Sequence, residues 1–206
     1  MTPGRLISFG CSHVAGDGLT SQEQVYSSVL SKMLDLKHVN CGESGASNKL
    51  IMYNVLNFDF QNNDTAIILW SHTERTTFFN KDGVHLLLNP SSEKNKIQAK
   101  KYYKLFHNEY HHDVESTHAI HYTNLYLKSK NIKIYNILQN PIVSYSNINF
   151  EDIQVLDVFF GVFRHLYPLA NDQSHMGFLG HNKLAEKVFE LIENKNYMPA
   201  EKWCNG

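Results

Sequence analysis

The chain has 206 residues, 42% of them hydrophobic and 19% charged, with a formal net charge of −1. That size suits one globular domain spanning residues 1–206 rather than two, and the near-neutral balance gives no sign of the concentrated basic surface that nucleic-acid binders use. The basic run Lys94, Lys96, Lys100, Lys101 and Lys104 is local and reads as a solvated helix face. Three cysteines, Cys11, Cys41 and Cys204, do not make a disulfide framework. No stretch reaches the ~20 apolar residues a membrane helix needs. No basic, then apolar leader precedes the first strand, so a cytoplasmic location is the expectation.

Leu6, Ile7, Ser8 and Phe9 form the first strand candidate. A helix is predicted next: Ser21 and Gln24 make a capping box, and Val25, Val29 and Met33 recur at helical spacing. His38 to Cys41 reads as a short second strand, and Ser47 as the cap of a helix carrying Leu50, Ile51 and Val55. Thr65 to Trp70 is a short, continuous apolar run, the pattern of a strand buried on both faces. A polar and aromatic insertion of about 80–130 follows, its second half helical, with Tyr103, Phe106, Tyr110 and Val114 three and four apart. Asn131 to Leu138 is the next strand. Residues 150–166 are ambiguous with a helical leaning, and Leu184, Val188 and Leu191 mark an amphipathic last helix.

Strands alternating with helices predict an α/β fold, a doubly wound parallel sheet covered on both sides. Ligands in such folds bind beyond the carboxyl ends of the strands. Site residues are therefore expected just after Phe9, Asn40, Trp70 and Leu138, and in late loops.

Those positions hold a consistent chemistry. Gly10, Cys11, Ser12 and Gly16 follow the first strand, Asn40 to Asn48 the second, and Trp70 to Arg75 the third; Asp172 and His175 precede the last helix. A serine hydroxyl is a poor nucleophile until an imidazole takes its proton, and the imidazole needs a partner that fixes its tautomer. Asp172, three residues before His175, suits that partner role. Gly42 and Gly45 suit a loop whose backbone N–H groups approach a developing oxyanion.

In these four segments the chain resembles the SGNH hydrolases, the GDSL esterases and lipases. Gly10, Ser12 and Gly16 match the first block, with Cys11 where the family has aspartate. Asn40, Ser44 and Gly45 match the second; Asp172, His175, Gly180, His181, Leu184 and Ala185 match the fourth. The third departs: Trp70, Ser71, His72, Thr73, Glu74 and Arg75 stand where the family has Gly-x-Asn-Asp, and His72 falls nearest the asparagine. The resemblance implies a three-layer α/β/α sandwich, flavodoxin-like, with about five parallel strands. It implies Ser12 as nucleophile, His175 as general base and Asp172 as its orienting acid. The oxyanion donors would be the N–H groups of Ser12 and Gly45, with His72 third. It implies no cofactor and no metal, and a small ester or acylated sugar as substrate.

Two other readings stay open: an O-acyltransferase on the same fold, and a non-catalytic binding or structural protein that keeps it. Taken alone, Ser12 is a turn residue and Asp172 the start of a turn. His13 reads as a packing histidine, His181 as structural, and Cys11 and Cys41 as small buried hydrophobes. His107, His111, Glu115 and His118 lie at helical offsets of zero, four, eight and eleven. This is a solvated polar face first and a metal site second, since nothing else completes a coordination shell.

Overall fold

A computed structural model describes residues 4–81, 85–90, 96–139, 153–158 and 160–199. Cys204 and Lys94 lie outside the described residues. The strands are β1 (Arg5–Gly10), β2 (Lys37–Gly42), β3 (Thr65–Trp70), β4 (Thr76–Phe79), β5 (His85–Leu88), β6 (Lys133–Leu138), β7 (Gln154–Leu156) and β8 (Tyr197–Pro199). The helices are α1 (Ser12–Ala15), α2 (Tyr26–Met33), α3 (Asn48–Leu56), α4 (Lys96–Phe106), α5 (Glu109–Ser129), α6 (Phe160–Leu166) and α7 (Phe178–Glu193).

The main sheet runs β2-β1-β3-β6-β7-β8. Its first five strands are parallel, and β8 closes the edge antiparallel to β7. The order reverses at β1, which sits between β2 and β3, as in a doubly wound sheet. Period-two alternation divides the core. Ile7, Phe9, Ala66, Ile68 and Trp70 pack under α3 and α5 with Leu50, Ile51, Ala119 and Ile120. Leu6, Ile67, Leu69 and Ile137 pack under α2 and α7 with Leu30, Leu184, Val188 and Leu191. Every residue of β3 is buried because both faces are covered, which explains its uninterrupted apolar sequence. Each buried Leu or Ile contributes roughly 1.5–3 kcal/mol.

Trp70 closes this core with a polar tie. Its indole N–H donates to Asn136 Oδ1 at 2.9 Å. Asn136 Nδ2 in turn donates to Asn124 Oδ1 at 2.9 Å and to the Gln154 carbonyl at 3.1 Å. β3, β6, α5 and β7 are thereby fixed in register by buried groups that satisfy one another.

Several boundaries differ from expectation. Ser21 caps a 3-10 turn, Gln22–Gln24, and the helix proper starts at Tyr26, because Val25 is extended at φ −66°, ψ 138°. Tyr26 and Leu30 face the core, whereas Met33 is exposed. The aromatic stripe of residues 103–114 crosses a break: α4 ends at Phe106, and Asn108 opens α5 by accepting the His111 N–H. The segment from Thr76 to Ser129 begins with a separate antiparallel ribbon, β4 with β5. α5 is the crossover helix leading back to β6. The described part of 150–166 holds β7 as well as α6. Among the described residues no helix is long and apolar enough to cross a membrane.

Candidate active site

β1 ends at Gly10 and the chain turns at once into the single turn of α1, which carries Ser12. The turn closes at Gly16, left-handed at φ 85°, whose N–H donates to the Ser12 carbonyl. Two glycines make room for it. A Cβ on Gly10 would stand 2.4 Å from Val14 Cγ2, and one on Gly42 would stand 2.4 Å from the Ala15 nitrogen. Asn40 clamps the turn from β2. Its amide donates to the Val14 carbonyl and to Gln22 Oε1, both at 2.7 Å, while its Oδ1 accepts the Gly42 N–H at 2.9 Å. The second segment thus holds the first in place.

The last loop is built around Asp172. Its Oδ1 accepts the N–H groups of Ser174 and His175, each at 3.0 Å, and its Oδ2 lies 2.5 Å from His175 Nδ1. Burial raises the Asp172 carboxyl, but the hydrogen bonds from the His175 ring, its N–H and the Ser174 N–H outweigh this. They hold it well below the usual carboxylate range. An ionised Asp172 keeps the proton on Nδ1 and leaves Nε2 with its lone pair. The loop docks onto the segment after α1. Asn171 N–H donates to the Gly18 carbonyl at 3.3 Å. Gly18 has φ 79°, and a Cβ there would stand 2.7 Å from Asp172 Cγ.

Around the pair, His13 is a packing histidine. Its ring lies 5.2 Å from that of His175 and 4.7 Å from Phe160. His181 is lowered to about 4, by burial first and the charge of His175 second, and its Nδ1 accepts the Tyr26 N–H at 3.0 Å. It is a neutral structural group that ties α7 to α2.

Ser12, His13, Ser174 and His175 form one side of a cavity of about 360 Å³ at the strand ends. His72, Glu74 and Arg75 form another, with Asn89, Pro90 and Gln139 completing it. The structure therefore brings Ser12, His175 and His72 together and sets Asp172 behind His175. Ser12 is 6% exposed, and its Oγ lies 4.0 Å from Cys11 Sγ. Among the described residues Ser12 and His175 line the same cavity without a direct hydrogen bond between them. Gly45 is left-handed at φ 78°, on the loop after β2, and is not among the residues lining the cavity.

The third segment is held from a distance. Ser71 N–H donates to Asn48 Oδ1 at 2.7 Å, and Asn48 Nδ2 donates to the Ser71 carbonyl at 3.1 Å. Arg75 Nη1 donates to Ser71 Oγ at 3.0 Å, so the guanidinium is anchored at the cavity wall. Sequence reasoning missed Glu74, Arg75, Asn89 and Gln139 as site residues. Gln139 was findable, since it follows β6 directly. It is buried, and its Oε1 lies 3.8 Å from Cys11 Sγ.

A larger cavity of about 430 Å³, lined mainly by Phe78, Tyr102, Phe106 and Lys49, shares no residue with this one. The histidine face converges only in part: His111 Nε2 lies 3.8 Å from Glu115 Oε2, and both line this larger cavity. Glu115 pairs with Lys49 at 2.7 Å, His118 lies beside Tyr122, and His107 precedes α5. Among the described residues no three His, Cys, Asp or Glu side chains are placed to hold a metal ion.

No protein-family profile and no curated protein sequence matches the chain. Solved structures do. A lipolytic protein of the G-D-S-L family from Desulfitobacterium hafniense aligns at a TM-score of 0.56 and 13% identity, over 91% of this chain and 98% of that one. A G-D-S-L family protein from Veillonella parvula aligns at 0.54 and 14%, over 92% and 98%. A catalytic mutant of an acetylxylan esterase from Geobacillus stearothermophilus aligns at 0.55 and 16%, over 92% and 93%. The chain has the α/β/α fold of these proteins over nearly its whole length.

Proposed function

We propose that the chain is an SGNH-type serine esterase, a single catalytic domain acting on a small ester or an acylated sugar without a cofactor. The observation that carries this reading is the Asp172–His175 pair on the same strand-end cavity as Ser12. The shared fold with G-D-S-L proteins and an acetylxylan esterase supports it.

Ser12 Oγ attacks the ester carbonyl while His175 Nε2 takes its proton. Asp172 holds the imidazole in the required tautomer and stabilises the imidazolium. The carbonyl oxygen becomes an oxyanion. The Ser12 N–H opens α1 and has no intrahelical partner, so it is available as a donor. His72, which lines the cavity, is the other donor, and the Gln139 amide and Arg75 on the cavity wall add to the field there; Gly45, which does not line the cavity, is left out of the donor set. The tetrahedral intermediate expels the alcohol, which takes the proton back from His175. Water, deprotonated by the same imidazole, then releases the acid and restores Ser12. Hydrolysis of p-nitrophenyl acetate by wild type and by Ser12→Ala tests this. Equal rates would contradict it.

A further inference from the structure

A second cavity, of about 380 Å³, adjoins the first, and Glu74 and Pro90 line both. Glu109 and Asp113 from the start of α5, with Thr73 and His107, form the rest of its rim, and among the described residues no lysine or arginine lines it. Its remaining wall is His112. That side chain is 1% exposed, and neither ring nitrogen has a hydrogen-bond partner. The ring sits among aromatic groups, 5.2 Å from His107, 5.9 Å from Tyr102 and 6.4 Å from Tyr103. Burying an imidazole with both nitrogens unpaired is unfavourable unless a ligand supplies the partner.

The carboxylates set the sign of that ligand. Glu74, Glu109 and Asp113 line the cavity together, and among its described lining residues no lysine or arginine stands against them. Burial raises the Asp113 carboxyl, the Thr73 hydrogen bond opposes this, and the charges of Glu109 and Glu74 add to the rise, as expected where negative charge accumulates. A metal ion does not fit, since no three such side chains among the described residues are placed to hold one. An organic cation with N–H groups does: it donates to the carboxylates and to a neutral imidazole. Burial keeps His112 in that neutral form.

Resting on the esterase reading for the neighbouring cavity, we propose that this second cavity is a subsite for a primary ammonium group carried by the substrate. Glu109 and Asp113 supply the charge, His112 the acceptor lone pair. Glu74, common to both cavities, marks where the substrate passes from one to the other.

A series of ω-aminoalkyl acetates set against n-alkyl acetates of equal length tests this. At the best length the amine should raise kcat/KM about tenfold, the order expected from charge-assisted hydrogen bonds. Salt should erode the gain. Glu109→Gln and Asp113→Asn should each reduce the amine-to-alkyl ratio; Glu109 is exposed, so its variant keeps the fold intact. A ratio near one in wild type, or an unchanged ratio in both variants, overturns the subsite. If no ester is cleaved, the esterase reading fails alone. The subsite is then judged by titrating ω-aminoalkanols into the protein and following the His112 ring proton resonances by NMR. Shifts with the amines and none with the plain alkanols support it, and no shift with either overturns it.

Discussion

The two sides of the strand-end cavity are built differently. On one side, Ser12 and His175 are set first by short-range hydrogen bonds within their own loops, α1 closing at Gly16 and Asp172 gathering the N–H groups of Ser174 and His175, with Asn40 of β2 clamping α1 from outside. On the other, the segment after β3 is positioned by Asn48 from α3, and Gln139 reaches in from the end of β6. On the proposed esterase reading, the first side carries proton transfer and the second faces the developing charge. A cavity can keep the first and change the second, since any well-placed donor serves an oxyanion whereas proton transfer needs one geometry.

Removing the proton-transfer side should therefore cost most. Ser12→Ala and His175→Ala should each lower kcat for an activated ester by about 10³-fold or more, and combining them should add little. Asp172→Asn should lose roughly 10²–10⁴, because an amide favours the wrong imidazole tautomer. Steady-state kinetics on purified variants with unchanged circular dichroism checks both. On the other side, His72→Ala, Arg75→Ala and Gln139→Ala should each cost about 10- to 10³-fold in kcat with KM little changed. If all three leave kcat intact, that side takes no part in charge stabilisation and the comparison breaks.

Stability effects are smaller. Asn40→Ala removes the clamp on α1 and should destabilise by about 1–3 kcal/mol in urea unfolding, the penalty for leaving the Val14 carbonyl and Gly42 N–H without their partner. Stability should also depend on acid. Burial lowers His38 and His181 to about 4, against ~6.5 in the unfolded chain. Between those values the unfolded chain binds more protons, so this contribution is fully present above ~6.5 and is lost as pH falls towards 4. The thermal midpoint should be level at neutral pH and fall through that window, less steeply in His181→Gln. A profile level down to about pH 4 would contradict the assignment.

The buried strands β1, β3 and β6 were legible because both sheet faces are covered and their sequences are mostly apolar, unbroken from Ala66 to Trp70 in β3 and interrupted only by Ser8 in β1 and Asn136 in β6. The last helix was legible because Leu184, Val188 and Leu191 share one face. β7 and β8 were not. Each is three residues long, too short to show alternation. The start of α2 was misread because Ser21 and Gln24 satisfy a capping pattern that the chain spends on a 3-10 turn. In the candidate site, the grouping of Ser12 with His175 on one cavity, with Asp172 against His175, was legible because these residues lie in short stretches after β1 and before the last helix. Arg75 and Glu74 were not. Their place in the cavity depends on Asn48 holding Ser71 and on Tyr103 Oη, which lies 2.7 Å from the Glu74 carbonyl. Neither contact leaves a local pattern. Asn40 was recognised as part of the second segment, but its clamp on α1 joins residues that only the sheet register brings together.

The most direct test is covalent labelling with a fluorophosphonate, followed by peptide mass spectrometry. The expected result is a single adduct on Ser12, absent in Ser12→Ala and formed far more slowly in His175→Ala. An unlabelled Ser12 in folded wild-type protein, or an adduct that survives Ser12→Ala, would contradict the assignment of Ser12 as the nucleophile.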